Sequence, residues 1–187
     1  MEIKTTYFEK EGKENTEAVL SIVNNRIKEL GIKTVLVAST TGETAAKAVN
    51  TLQEVKVIAV GHSTGLRTPN VQEFTPENKK IVEGKGGTVF VGTHLFSGLS
   101  GAMSKKFNTH IIGDIIASTL RIFRNGMKVV CEVSCEAADA GLIRTDEDII
   151  VITGSHQGAD MAVVIRPVNS QDFFDLKIKE ILCKPHL

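Results

Sequence analysis

The stretch Thr34-Val35-Leu36-Val37-Ala38-Ser39-Thr40-Thr41-Gly42-Glu43-Thr44, followed by Ala45-Ala46-Lys47-Ala48-Val49, restricts the fold more than any other part of the chain. A β-rich apolar run ends in small hydroxyl residues and Gly and passes directly into a strong helix former. The pattern predicts a strand, a hydroxyl-rich turn and a helix N-terminus. A first helical turn has N–H groups with no intrahelical acceptor, the helix dipole stands behind them, and hydroxyls surround them here. Such a turn suits an anion, most often a phosphate.

The same alternation continues along the chain. Residues 5–8 read as a short strand and residues 10–14 as a charged turn. Asn15 or Thr16 then caps a helix whose apolar positions Val19, Ile22, Val23, Ile27 and Leu30 recur at three and four, closed by Gly31. After Gly42 a helix buries Ala45, Ala48, Val49 and Leu52, with Glu43 and Lys47 placed as an i, i+4 pair. A second strand over 55–60 ends in Gly61-His62-Ser63-Thr64-Gly65, followed by a loop punctuated by Pro69. Thr75-Pro76 opens the next helix as a cap with Pro at its first position. A third strand, 88–91, runs into Gly92-Thr93-His94.

Residues 95–109 are rich in Gly, Ser and Lys, with Phe96, Leu99 and Phe107 interspersed, and read as an irregular cover or lid. Helical spacing resumes at Ile111, Ile112, Ile115, Ile116, Leu120 and Phe123, and Asn125-Gly126 ends it. Val129, Val130, Val133, Ala137 and Ala140 fit a further helix, although 129–133 alone also fits a strand. A fourth strand, 149–153, leads through Gly154-Ser155-His156-Gln157-Gly158 to a hairpin partner at 161–166, and 176–182 reads as an edge strand. Strands alternating with helices predict an α/β fold: a three-layer α/β/α sandwich, its sheet mostly parallel with an antiparallel edge. Residues 1–187 read as one domain, long enough to bury a substantial core.

Composition narrows the function classes. Hydrophobic residues at 42% and charged residues at 24% are ordinary globular values, so disorder is not indicated. Twenty-two basic residues balance 22 acidic ones, giving no long-range attraction to nucleic acid or to an anionic membrane. The amino end lacks a secretory pattern, and the most apolar stretch, 111–120, is broken by Gly113 and Asp114, so a cytoplasmic protein is expected. Cys131, Cys135 and Cys183 form no CxxC pair and read as buried thiols.

Parallel strands end at one edge, where open α/β sheets hold their ligands. The turns expected there are Ser39, Thr40, Thr41, Gly42, Glu43 and Thr44 after the first strand, and Gly61, His62, Ser63 and Thr64 after the second. Gly92, Thr93 and His94 follow the third; Gly154, Ser155, His156, Gln157 and Gly158 follow the fourth. Gly lets backbone approach a ligand, and hydroxyls and N–H groups bind phosphate oxygens. Gly, Ser and Thr are also what turns are made of. Agreement of four loops at one edge is what favours a ligand, and a phosphorylated small molecule fits.

Three other readings compete. Gly61-His62-Ser63-Thr64-Gly65 matches G-x-S-x-G, the elbow of α/β hydrolases, with Ser63 as nucleophile. The helix that should follow at once is missing, and Asp139 or Asp160 with His156 or His186 would have to complete a triad. His62, His94 and His156 could form a three-His zinc site, but no HxH or HExxH spacing supports one, so hydrogen bonding is expected and no metal. A regulatory module sensing a sugar phosphate or nucleotide is the remaining alternative. Neither a Walker A pattern nor G-x-G-x-x-G occurs.

Two segments carry a family resemblance: 35–49, with its strand, Thr-Thr-Gly-Glu-Thr turn and helix, and 137–167. The second includes Ala140-Gly141-Leu142-Ile143, Asp148-Ile149-Ile150-Val151-Ile152-Thr153-Gly154 and Ile165-Arg166-Pro167. In order and separation they resemble the C-terminal α/β domain of pyruvate kinase, in the standalone form found in archaea and some bacteria. The resemblance spans about residues 15–167; the 92–106 loop and the carboxyl end depart from it. It implies a phosphate cradle at Ser39, Thr40, Thr41, Gly42 and Thr44, since this domain binds a phosphorylated effector there in pyruvate kinases. It implies no kinase activity, which belongs to a separate barrel. Standalone relatives are associated with flavin mononucleotide, so FMN is the expected ligand, with its ring under the 95–107 segment. No pattern marks an electron-donor site, so the expectation is binding, by a single chain or a homo-oligomer.

Overall fold

The structure, a computed structural model, describes residues 2–186. Among them, seven strands form one sheet: β1 (Thr6–Phe8), β2 (Thr34–Ala38), β3 (Lys56–Gly61), β4 (Thr88–Val91), β5 (Ile149–Thr153), β6 (Met161–Arg166) and β7 (Lys177–Pro185). Their order is β1-β7-β6-β5-β2-β3-β4. β2, β3, β4 and β5 run parallel, with Leu36 opposite both Ile58 and Val151, while β6 is antiparallel to β5 and to β7.

Helices α1 (Thr16–Leu30), α2 (Glu43–Thr51) and α3 (Pro76–Gly84) cover one face. Val19, Leu20, Val23 and Ile27 of α1, Ala45 and Ala48 of α2, and Val82 of α3 pack on Val35, Val37, Ile150 and Ile152. Helix α6 (Asn125–Asp139) covers the other face with Met127, Val130, Val133 and Ala137 against Leu36, Ile58, Val151 and Val163. Central strands buried on both faces explain the near-continuous apolar runs. The three-layer α/β/α sandwich is the architecture the alternation of elements implies. No helix among the described residues is long and apolar enough to cross a membrane.

Four details differ from the sequence reading. β7 is not an edge: β1 pairs with it in parallel through Thr6, Tyr7 and Phe8 opposite Cys183, Lys184 and Pro185, which buries Leu182 and Cys183. The supposed cover contains helix α4 (Gly98–Phe107), packed on α5 (Ile112–Leu120). Asn125-Gly126 opens α6 instead of ending its predecessor. Gly126 is needed there because a Cβ would lie 2.9 Å from both Met161 Sδ and Thr153 Oγ1, so the helix start sits directly on the sheet. Lys47 pairs with Glu17 of α1 at 3.1 Å, the contact the packed layer offers, and not with Glu43.

Candidate functional site

β2 delivers its backbone to the sheet edge, where the chain must leave a strand buried at Val35, Leu36 and Val37 and start α2 within four residues. Ser39 bridges the two: its N–H donates to Val60 O at 3.0 Å and its hydroxyl accepts from Ala45 N–H at 3.4 Å. Gly42 turns the chain at φ 92°. Thr41 O accepts from Thr75 N–H at 3.1 Å and from Asn78 Nδ2 at 2.9 Å, so the start of α3 clamps the turn. The N–H groups of Thr40, Thr41, Gly42, Glu43 and Thr44 have no protein acceptor among the described residues. Ser39, Thr40, Thr41, Glu43 and Thr44 line a cavity of about 690 Å³ at the C-terminal edge of the parallel strands. That volume lies within the roughly 300–1,000 Å³ of small-molecule sites.

Histidines from two loops meet across this cavity. The His62 and His94 rings stand edge to face, centroids 5.3 Å apart. His62 Nε2 lies 3.4 Å from Thr40 Oγ1, and its Nδ1 lies 2.9 Å from Glu73 Oε2. Arg67 Nη1 donates to Glu73 Oε1 at 2.6 Å. The His62 hydrogen bond, joined by the Arg67 charge, holds Glu73 below the ordinary carboxylate value against its burial. His94 Nδ1 lies 3.3 Å from Glu136 Oε1 and 4.0 Å from Glu132 Oε2, and Lys128 Nζ donates to Glu132 Oε2. The hydrogen bond to Glu136, with the charges of both carboxylates, raises His94 above the ordinary imidazole value.

The fourth loop forms the opposite wall. Gly154, Ser155, His156, Gln157 and Gly158 all line the cavity. Asp160, fully buried, accepts from Ser155 N–H and Gly12 N–H at 3.1 Å each through Oδ2. Ala159 N–H donates to Thr16 Oγ1 at 3.0 Å, so Thr16 secures this loop and does not cap α1. Gly158 at φ 74° lies where a Cβ would come within 2.5 Å of Lys13 Cα. His156 pairs with Glu11 at 2.9 Å, across the cavity from the other two histidines, so no three-His cluster forms.

Not every predicted residue reaches the cavity. Gly42 packs against Phe74 and Gly92 against the Phe90 ring, positions where a side chain would collide with an aromatic ring, and a Cβ at Gly61 would press on Phe74 at 3.1 Å. Ser63 does not line the cavity, and the chain continues from it into loop, not helix. Thr64 Oγ1 accepts from Gln72 Nε2 at 3.0 Å. Thr93 lies in a second, shallower depression with Phe90, Leu95 and Asp139. Of the supposed cover, only Ser97 lines the cavity; Ser97 and Gly98 turn α4 away, leaving Leu99 and Phe107 exposed.

Lys13, Arg67, Glu73, Arg121, Lys128 and Glu132, which no strand-end pattern marks, also lie on the cavity wall. Lys13 and Arg121 have no carboxylate partner among the described residues. Lys13, Arg67, Arg121 and Lys128 thus share the cavity wall with Glu43, Glu73 and Glu132, and Arg67 and Lys128 are paired with Glu73 and Glu132.

Residues 17–165 match the family model described as the pyruvate kinase alpha/beta domain. Among solved structures, a pyruvate kinase from Cryptosporidium parvum is similar at 15% identity and a TM-score of 0.42. The match covers 82% of this chain and 23% of that enzyme's chain. With the model spanning most of its length, this chain belongs to the pyruvate kinase alpha/beta domain family.

Proposed function

We propose that the chain binds a phosphorylated small molecule, FMN first among candidates, with its phosphate at residues 39–44. The observation that carries this reading is the set of N–H groups at Thr40, Thr41, Glu43 and Thr44, residues that line the cavity and whose N–H groups have no protein acceptor among the described residues. Thr40 and Thr41 hydroxyls add donors, and Lys13 and Arg121 add charge from the walls. The cavity has room for a ring system beyond the phosphate, and His62 and His94 offer an edge for stacking or hydrogen bonding. FMN enters through the resemblance of the turn to relatives associated with that cofactor. Phosphoryl transfer is not part of the proposal.

A sensor of sugar phosphates or nucleotides would use the same turn. The Ser63 hydrolase has less support, since among the described residues no histidine is hydrogen-bonded to the Ser63 hydroxyl. Purified protein separates the three. Flavin absorbance and a native mass increased by one FMN support the proposal. Colourless protein whose melting temperature rises with sugar phosphates supports the sensor, and fluorophosphonate labelling at Ser63 supports the hydrolase.

A further inference from the structure

Glu132 and Glu136 stand one helical turn apart on α6 and point at the loop leaving β4. Their side chains are 4% and 5% exposed. Two carboxylates removed from water require compensating positive charge and donors. Part of that is present. Phe96 N–H donates to Glu132 Oε1 at 3.1 Å and Leu95 N–H to Glu136 Oε1 at 3.0 Å, which fixes the direction of each carboxylate. Lys128 reaches Glu132, and His94, 10% exposed, approaches both. Yet Glu136 Oε2 is buried with no hydrogen-bond partner, and so is His94 Nε2. A carboxylate oxygen more than nine-tenths buried and facing no donor is a position for a cation.

We propose that His94, Glu132 and Glu136 bind a divalent transition metal. One ligand atom from each lies within 4.8 Å of the others. His94 Nδ1 lies 3.3 Å from Glu136 Oε1 and 4.0 Å from Glu132 Oε2, each within the span of two ligands on one ion at about 2.0–2.2 Å, and Glu136 Oε2 is the oxygen left without a partner to complete the set. One imidazole with two carboxylates suits zinc, manganese or iron, whereas magnesium and calcium prefer all-oxygen sites. The Leu95 and Phe96 amides are the outer partners that hold the carboxylates in place. His94 and Glu132 line the cavity, so the ion is reached from it. The Lys128 ammonium holds Glu132 until a metal displaces it, a move its flexible stem allows. None of these residues belongs to the 39–44 turn, so this inference stands or falls apart from the phosphate reading.

The test is a calorimetric titration of the full chain, stripped with EDTA and free of phosphate, with zinc and then manganese chloride at neutral pH. One equivalent of zinc binds at micromolar affinity or better, and magnesium does not compete at millimolar concentration. Glu136→Gln and Glu132→Gln keep the oxygen that accepts the backbone N–H, and each weakens binding more than about 100-fold, beyond the loss of an outer partner. Lys128→Met, which removes the competing ammonium, binds at least as tightly as the wild type. No stoichiometric uptake by the wild type overturns the proposal. So does uptake that both glutamine variants leave unchanged.

Discussion

Gly42 passes so close to Phe74 that a Cβ at Gly42 would lie 2.6 Å from ring atom Cε1. Its φ of 92° is also one that side chains avoid. The two constraints act together at the mouth of α2. Gly42→Ala is expected to cost about 2–4 kcal/mol, combining left-handed strain with overpacking. Denaturant unfolding measures it, and a loss under about 0.5 kcal/mol, the ordinary surface value, would show that the turn does not depend on this contact.

The loop after β5 hangs on Thr16, which is 2% exposed and accepts from Ala159 N–H. Thr16→Val preserves shape and orphans that buried donor, which costs about 1–3 kcal/mol. Thr16→Ser retains the hydroxyl and should recover most of the loss. Equal stability of the two variants would argue against the bond.

Glu73 ties the loop before α3 to the cavity through His62 and Arg67. Its carboxyl titrates below the ordinary value of 4.5 in the fold, so the unfolded chain takes up the proton first as pH falls. Stability from this ion is therefore fully present above pH 4.5 and is lost as pH drops through the lower folded value. Glu73→Gln should lie about 1–2 kcal/mol below the wild type at pH 7, with the gap closing in acid. A gap constant from pH 7 to pH 3 would contradict the assignment.

Cys131, Cys135 and Cys183 are buried free thiols, and burial pushes them up to about 11, 12 and 12. Thiolate is the reactive form, so native protein should react negligibly with a thiol reagent at pH 8, and all three should react at once in denaturant. Rapid labelling of one native cysteine would place it outside the core described here.

The sheet was legible because its strands are apolar runs broken by Gly and Ser/Thr turns, and α1 because Val19, Val23 and Ile27 repeat at four. Helix α4 was not, although Leu99, Met103 and Phe107 also repeat at four. That stripe is exposed, 78% at Leu99, and Gly and Ser between its members mask a helix. The cavity turns could be located from strand ends alone. Glu132 and Glu136 could not be singled out, because an acidic pair on a helix ordinarily faces solvent. The loop leaving β4, folding back to donate Leu95 and Phe96 N–H groups, joins Lys128 in making their burial tolerable.

The proposed grip of the α2 entrance on a phosphate is tested most directly by titrating the purified chain, freed of ligand, with FMN and with riboflavin, which differ only in the phosphate. Two charge-assisted hydrogen bonds at about 1.5–3 kcal/mol each predict that riboflavin binds at least about 100-fold more weakly than FMN. Equal affinities would mean that the open N–H groups at residues 40–44 hold no phosphate, and would contradict the account.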